Sequence, residues 1–135
     1  MPETKDMTKK RAYISFDYDH DDDLRMLLAG QALHSDTPFD IKDRSLKEPL
    51  TGDWKSKVRR RMDNIDVVIV ICGEYTDTAK GVAAELTIAR EEKKPYFLLK
   101  GRSEKTCTRP SSALPGDKMY KWTWDNLKAL IHGSR

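Results

Sequence analysis

The chain has 135 residues, of which 35% are charged and 38% hydrophobic, with a formal net charge of +3. This length suits one domain with a single core, and so small a charge gives no indication of nucleic acid as a partner. No apolar stretch approaches the roughly 20 residues of a membrane span, the N-terminus lacks the apolar centre of a signal peptide, and Cys72 and Cys107 do not form a disulfide framework. We therefore expect a cytoplasmic protein without a membrane partner.

Short apolar runs alternate with amphipathic patterns along the chain. Residues 1–10 are polar and are predicted to be disordered, so the single folded domain spans 11–135. Continuous apolar runs such as VVIVIC suit strands that are buried on both faces of a parallel sheet. The predicted elements are, in chain order, strand 12–16, helix 21–34, strand 38–41, helix 53–64, strand 67–72, helix 77–93, strand 96–99, polar loop 101–118, strand 120–124 and a helix beginning near Trp124 or Asp125. This alternation predicts a doubly wound α/β sheet.

Five aspartates and a histidine lie in the stretch FDYDHDDD at 16–23, directly after the first predicted strand. Ligands bind in open α/β sheets outside the carboxyl ends of the strands. The aspartates at 21–23 fall in the first turn of the next helix, where carboxylates stabilise free N–H groups and the positive dipole end. Asp17 and Asp19 also fit an acidic Mg²⁺ pocket for phosphoryl transfer. Such a site needs a lysine after a later strand, and Lys100 has that position in the sequence. Both interpretations stay open.

Glu85 has an unexpected position on the predicted helix 77–93. At 100° per residue it falls within the apolar arc that contains Val82 and Leu86. An ionised carboxylate on a half-buried face is costly unless it is paired or hydrogen-bonded. Such a side chain is expected to have a raised pKa, to serve a ligand, to pair with a nearby basic residue or to escape at the edge of the stripe. Glu92 shares the same angle, so periodicity alone does not choose among these.

Four stretches occur in a characteristic order: RAYISFDYDHDDD at 11–23, FDIKDRS at 39–45, DVVIVICGEYTDTAKGVAAEL at 66–86 and KKPYFLLKG at 93–101. Together they resemble the bacterial and archaeal TIR-like family that includes the TIR partner of the Thoeris anti-phage system. The chain departs from the family pattern at Gly81, where a tryptophan is usual. The resemblance implies a flavodoxin-like three-layer α/β sandwich, with a five-stranded parallel sheet in the order 2-1-3-4-5.

The resemblance also implies an activity. In TIR domains that cleave NAD⁺, the glutamate at the position of Glu85 is catalytic, NAD⁺ is the substrate rather than a cofactor, and no metal is needed. A carboxylate that faces the oxocarbenium-like ribose stabilises the developing positive charge. Water then gives ADP-ribose, and an internal nucleophile gives a cyclic isomer. The implied substrate-binding residues follow the first two strands: Ser15, Phe16, Asp17, Tyr18, Asp43, Arg44 and Ser45.

Each of these residues has an alternative role. Phe16 and Tyr18 also suit packing, Asp43 a turn, and Arg44 a solvated surface. His20 is predicted to be exposed to solvent rather than to bind a ligand.

Partner binding is the second function that the resemblance implies. TIR–TIR self-association is expected through residues 46–53, and a downstream effector protein is expected to read the product. The basic stretch KSKVRRR at 55–61 is predicted to form a solvated face, with docking to an acidic partner as the alternative. A non-catalytic module that acts by self-association or partner binding is therefore the alternative to the enzyme, and Gly81 favours it.

Overall fold

The alternation of strands and helices is present in the computed structural model of the protein, which describes residues 9–45 and 52–135. The elements are β1 (Lys10–Ser15), α1 (Asp22–Ala32), β2 (Phe39–Arg44), α2 (Trp54–Met62), β3 (Val67–Cys72), a 3₁₀ turn (Thr76–Thr78), α3 (Lys80–Glu91), β4 (Tyr96–Lys100), β5 (Met119–Lys121) and α4 (Trp124–Ile131). Residues 1–8 of the predicted disordered segment 1–10 fall outside the described residues. Lys9 and Lys10 are described, and the predicted boundary is wrong at Lys10, which begins β1. Most of the predicted association segment 46–53 also falls outside them.

The five strands form one parallel sheet in the order β2-β1-β3-β4-β5. The predicted flavodoxin-like order 2-1-3-4-5 is therefore confirmed. The strand order reverses between β1 and β3, and the connections from these two strands leave on opposite faces of the sheet. A crevice forms at such a point, outside the carboxyl ends of the strands.

Helices cover both faces of the sheet and make a three-layer sandwich. All six residues of β3 are buried, which explains its continuous apolar run. Alternate residues face opposite sides: Ile69 packs with α1 and α4 in one core, and Val70 packs with α2 and α3 in the other. The apolar stripe predicted on 53–64 is confirmed, since Trp54, Val58 and Met62 are the buried residues of α2.

The element boundaries differ from the predicted ones where side chains end or begin a helix. The last strand stops at Lys121 because Thr123 caps α4, accepting the Asn126 N–H at 3.1 Å. The predicted helix 77–93 is a 3₁₀ turn followed by α3, which has 12 residues. No helix within 9–45 and 52–135 combines the length and the apolar character that a membrane span requires.

Candidate functional site

A cavity of about 270 Å³ opens at the carboxyl end of β1, on the side of the sheet that α2 and α3 cover. Its lining comes from the segments that follow β1 and β2, the start of α2, the end of the 3₁₀ turn and the first two turns of α3. The lining residues are Phe16, Asp17, Tyr18, Asp19, His20, Ser45, Trp54, Thr78, Ala79, Lys80, Gly81, Val82 and Glu85. The predicted site residues Phe16, Asp17, Tyr18, Ser45 and Glu85 are thus brought together around one space.

Glu85 is fully buried and is held by three hydroxyl groups. Ser15 and Ser45 donate hydrogen bonds to Oε1 at 2.6 and 2.5 Å, and Tyr13 donates to Oε2 at 2.5 Å. The Phe16 N–H donates to Ser45 Oγ at 3.0 Å, so this oxygen accepts one bond while its proton goes to the carboxylate. Escape at the stripe's edge and pairing with a basic residue, two of the four possibilities expected for Glu85, are therefore wrong.

The surroundings of Glu85 act on its ionisation in opposite directions. Burial raises the pKa of the carboxyl group to about 7, and the hydrogen bonds from Ser15, Ser45 and Tyr13 partly oppose this. Burial is also the main reason that the pKa of Tyr13 is raised, with Glu85 adding to it, so the phenol stays neutral and can donate. The result is a carboxylate close to its titration point at neutral pH.

Tyr13 is the partner of Glu85 that the sequence-based site omitted. Successive side chains alternate across a strand, so Tyr13, Ser15 and Asp17 point to the same side of the sheet. This alternation is the sequence signal that could have placed Tyr13 beside Ser15 at the site. Tyr13 reads as a core aromatic because its ring packs among the apolar residues of the second core.

Asp17 and His20 form a second polar pair at the cavity. His20 Nδ1 lies 2.7 Å from Asp17 Oδ2, and the side chains are 47% and 8% exposed. Asp17 Oδ1 accepts the Asp19 N–H at 3.1 Å. The His20 ring packs against Tyr75, with 4.5 Å between ring centroids. His20 is exposed, as predicted, and it also lines the cavity.

Asp43 and Arg44 lie outside the cavity lining. Asp43 forms an ion pair with Arg61 of α2. Arg44 lines a separate depression between α1 and β2, and its Nε donates a long hydrogen bond of 3.4 Å to Tyr18 Oη. Only through Tyr18 does Arg44 approach the rim of the cavity.

The aspartates at 21–23 begin α1, but not through the side-chain capping bonds that were predicted. Asp21 is the N-cap residue and its carboxylate makes no cap hydrogen bond. Arg102, from the segment after β4, instead binds Asp21 at 3.1 Å and Asp23 at 2.8 Å. The predicted capping bond of Asp21 is therefore wrong: Arg102, about 80 residues away in the chain, compensates the charges of Asp21 and Asp23, and Arg25 pairs with Asp22 at 2.8 Å. Asp22 and Asp23 lie in the first turn of α1, as predicted.

The phosphoryl-transfer interpretation required Lys100 beside the aspartates. Lys100 lies instead in a depression with Leu27, Gln31 and Trp122, which is not the one that Asp17 lines. Among residues 9–45 and 52–135, no three His, Cys, Asp or Glu side chains are grouped as metal ligands would be.

The basic face of α2 points outward, as predicted. Lys55, Lys57 and Arg60 are exposed, whereas Arg59 binds Glu91 at 2.6 Å and Glu92 at 3.1 Å. Intramolecular pairing therefore accounts for part of this charge.

A parallel sheet in the order 2-1-3-4-5, with a cavity at its strand ends, places the molecule in the class of flavodoxin-like α/β domains. The family model for the TIR-like domain of the Thoeris protein ThsB matches residues 13–106, which is more than half of the chain. The chain therefore belongs to this family. No curated protein matches it.

Proposed function

We propose that the protein cleaves the nicotinamide–ribose bond of NAD⁺ to make an ADP-ribose-type signal in anti-phage defence. The observation that carries the proposal is the carboxylate of Glu85, buried beside the cavity, held by three hydroxyl groups and raised in pKa to about 7. Groups with strongly shifted ionisation in a cleft are candidates for chemistry. The product is linear if water captures C1′ and cyclic if a nucleophile of the same molecule does.

The chemistry requires one negative charge beside the ribose. The C1′–N bond breaks with both electrons going to the nicotinamide nitrogen, which is cationic in NAD⁺ and leaves neutral without a proton. Positive charge then develops on the ribose ring, as in glycoside cleavage. An ionised Glu85, fixed in place before the reaction and itself shielded from solvent, stabilises that charge.

Ser45 controls access to the carboxylate. Glu85 is 0% exposed, so a ribose hydroxyl can reach it only after one of its present donors moves. Of those donors, Ser45 is the one that lines the cavity, and it is bound to Oε1. Rotation of this single hydroxyl would free an acceptor without a change in the backbone.

The remaining lining offers contacts for the rest of the substrate. Tyr18, which is partly buried, supplies an aromatic face for the nicotinamide ring. Phe16, whose ring centroid lies 4.6 Å from that of Tyr18, is 2% exposed and has the alternative role of packing in the core. Asp17 is an acceptor near the cation. Lys80 and the first residues of α3 also line the cavity, and a helix N-terminus beside a lysine favours a phosphate. The cavity therefore suits a ligand with a cationic ring at one end and anionic phosphates further along.

The test compares Glu85→Gln with the wild type by following nicotinamide release from NAD⁺. The substitution keeps the shape and removes the charge, and loss of one such electrostatic contact slows reactions by about 10² to 10³. Glu104→Gln, at an exposed glutamate outside the cavity, is the matched control and should behave as the wild type. Each protein is assayed alone and with an extract of phage-infected cells, which supplies any trigger that the activity requires. Full activity of Glu85→Gln would refute the proposal.

A second candidate function is association without catalysis, which an exposed apolar face on α1 favours. Met26 is 59%, Leu27 56% and Leu33 87% exposed, and exposed apolar patches mark interaction sites. If copies of the chain associate through this face, Leu33→Ser should lower the association constant measured by sedimentation. Leu114→Ser, an exposed leucine outside this face, is the control. A sedimentation coefficient that does not change with wild-type concentration would contradict this function.

A further inference from the structure

The Asp17–His20 pair has the geometry of a general base and its positioning residue. His20 Nδ1 lies 2.7 Å from Asp17 Oδ2, within hydrogen-bonding distance. Asp17 is fixed in turn, because its Oδ1 accepts the Asp19 N–H and its side chain is 8% exposed. A fixed carboxylate acceptor selects the tautomer in which Nδ1 carries the proton. Nε2 is then the ring nitrogen with a free lone pair.

The imidazole is also held in orientation from a second side. Tyr75, from the segment between β3 and α3, packs against the ring with the two planes inclined by 35°. Arg102 donates to the carbonyl oxygen of His20 at 3.0 Å, which fixes the backbone at this residue. The ring is therefore placed at the cavity by contacts from three separate segments, although nearly half of its side chain is exposed.

The charges that face His20 strengthen it as a base. The hydrogen bond to Asp17 is the largest cause of a raised imidazole pKa, and the carboxylates of Asp17, Asp19 and Asp21 add to it. The neutral ring with a free Nε2 is the form that accepts a proton. Glu85 does not suit this task, because Tyr13 and Ser15 occupy both of its oxygens and the acceptor that Ser45 can free is assigned to a ribose hydroxyl.

We infer that His20 is the general base that activates water to capture the ribosyl cation, with Asp17 as its positioning residue; this rests on the proposed function. The water oxygen forms the bond to C1′ as the C1′–N bond electrons leave with nicotinamide. The water proton passes to His20 Nε2 and then to solvent. The sum is NAD⁺ and water giving ADP-ribose, nicotinamide and one proton.

The test uses a second nucleophile that has no proton to lose. A pyridine base such as 3-acetylpyridine captures C1′ directly and gives an exchanged dinucleotide, whereas water must be deprotonated. In His20→Gln the ratio of ADP-ribose to exchanged dinucleotide should fall at least about tenfold, since general-base catalysis contributes about 10²–10⁴. His34→Gln is the matched control, because His34 packs against Trp124 outside the cavity and should keep the wild-type ratio.

The outcomes separate the inference from the function on which it rests. An unchanged ratio in His20→Gln, with nicotinamide still released, would overturn the inference and leave the proposed function intact. A wild type that releases no nicotinamide, alone or with infected-cell extract, would overturn both.

A second measurement examines Asp17 without any substrate. In an NMR titration, Asp17→Asn should lower the pKa of the His20 imidazole, because the largest cause of its raised value is removed. The same variant should lower the product ratio in the direction of His20→Gln. An imidazole pKa that does not respond to Asp17→Asn would refute the positioning role.

Discussion

At the scale of single residues, Glu85 makes the stability of the protein depend on pH. The pKa of its carboxyl group is about 7 in the folded protein, compared with the ordinary value of 4.5 that applies in the unfolded chain. Between these values the folded state retains a proton that the unfolded state has lost, so the free energy of unfolding falls as pH rises through this window. The shift corresponds to about 3 kcal/mol.

We expect Glu85→Gln to gain stability over the wild type as the pH is raised. Gln never ionises, so its advantage should grow by up to about 3 kcal/mol between pH 4.5 and pH 8. Urea unfolding at the two pH values measures it, with Glu104→Gln as the exposed control. A difference between Glu85→Gln and wild type that is the same at both pH values would contradict the buried, raised carboxyl group.

Tyr13→Phe should raise the pKa of the Glu85 carboxyl group, because it removes a hydrogen bond that stabilises the ionised form. The phenol donates to Oε2 and lowers the pKa of Glu85, so its removal should raise that pKa further and move the acid limb of nicotinamide release to higher pH. The unpartnered Oε2 should also cost about 1–3 kcal/mol in stability. Tyr96→Phe, whose hydroxyl binds Asp117 instead, should leave the acid limb unmoved.

At the scale of elements, the junction between α1 and the end of β3 depends on one glycine. A Cβ on Gly73 would lie 2.2 Å from Asp21 Oδ2, and the Asp21 carboxylate is held there by Arg102. Gly30, in the last turn of α1, has no atom within 4 Å of such a Cβ. An added methyl group would therefore collide with Asp21 at Gly73 and would meet open space at Gly30.

We expect Gly73→Ala to destabilise the fold by about 1–3 kcal/mol, as overpacking does. Gly30→Ala should stabilise it by about 0.5–1 kcal/mol, because alanine is the better helix former and the space is open. Thermal unfolding of both variants measures the pair. A Gly73→Ala melting temperature equal to that of the wild type would show that Asp21 moves away from residue 73 at little cost.

Sequence patterns predict these elements better than the contacts between them. The apolar runs identified β1, β3 and β4, because each is buried on both faces and leaves an unbroken signal. The periodicity of α3 placed Glu85 among apolar residues, which is where it lies. It could not supply the partners, since Tyr13, Ser15 and Ser45 come from 40 to 72 positions away. Arg102 was missed for the same reason.

At the scale of the whole molecule, two cores share one sheet. Ile69 and Val70 are neighbours on β3 and belong to the separate cores on its two faces. Neither core can lose its packing without exposing a face of the same central strand. We therefore expect the two layers to unfold together.

Ile69→Ala should cost about 2–5 kcal/mol, and unfolding should stay a single transition. With Trp122→Phe and Trp124→Phe in the background, far-ultraviolet circular dichroism and the fluorescence of Trp54 should report the same midpoint. Trp54 then reports on the core opposite to Ile69, whereas Trp122 and Trp124 pack against the core of Ile69 itself. Val70→Ala, on the side of Trp54, is the companion variant. Separate midpoints for the two signals would show that the layers unfold independently.

The hydroxyl cluster around Glu85 also has a kinetic consequence. It joins β1, the end of β2 and α3, so it is complete only when three distant segments have met, and contacts of such long separation form late in folding. Interactions that are absent from the transition state change the unfolding rate rather than the folding rate. At pH 8, stopped-flow measurements should therefore find that Glu85→Gln unfolds more slowly than the wild type and refolds at nearly the same rate. The carboxylate would then shorten the lifetime of the folded state and leave the folding time unchanged.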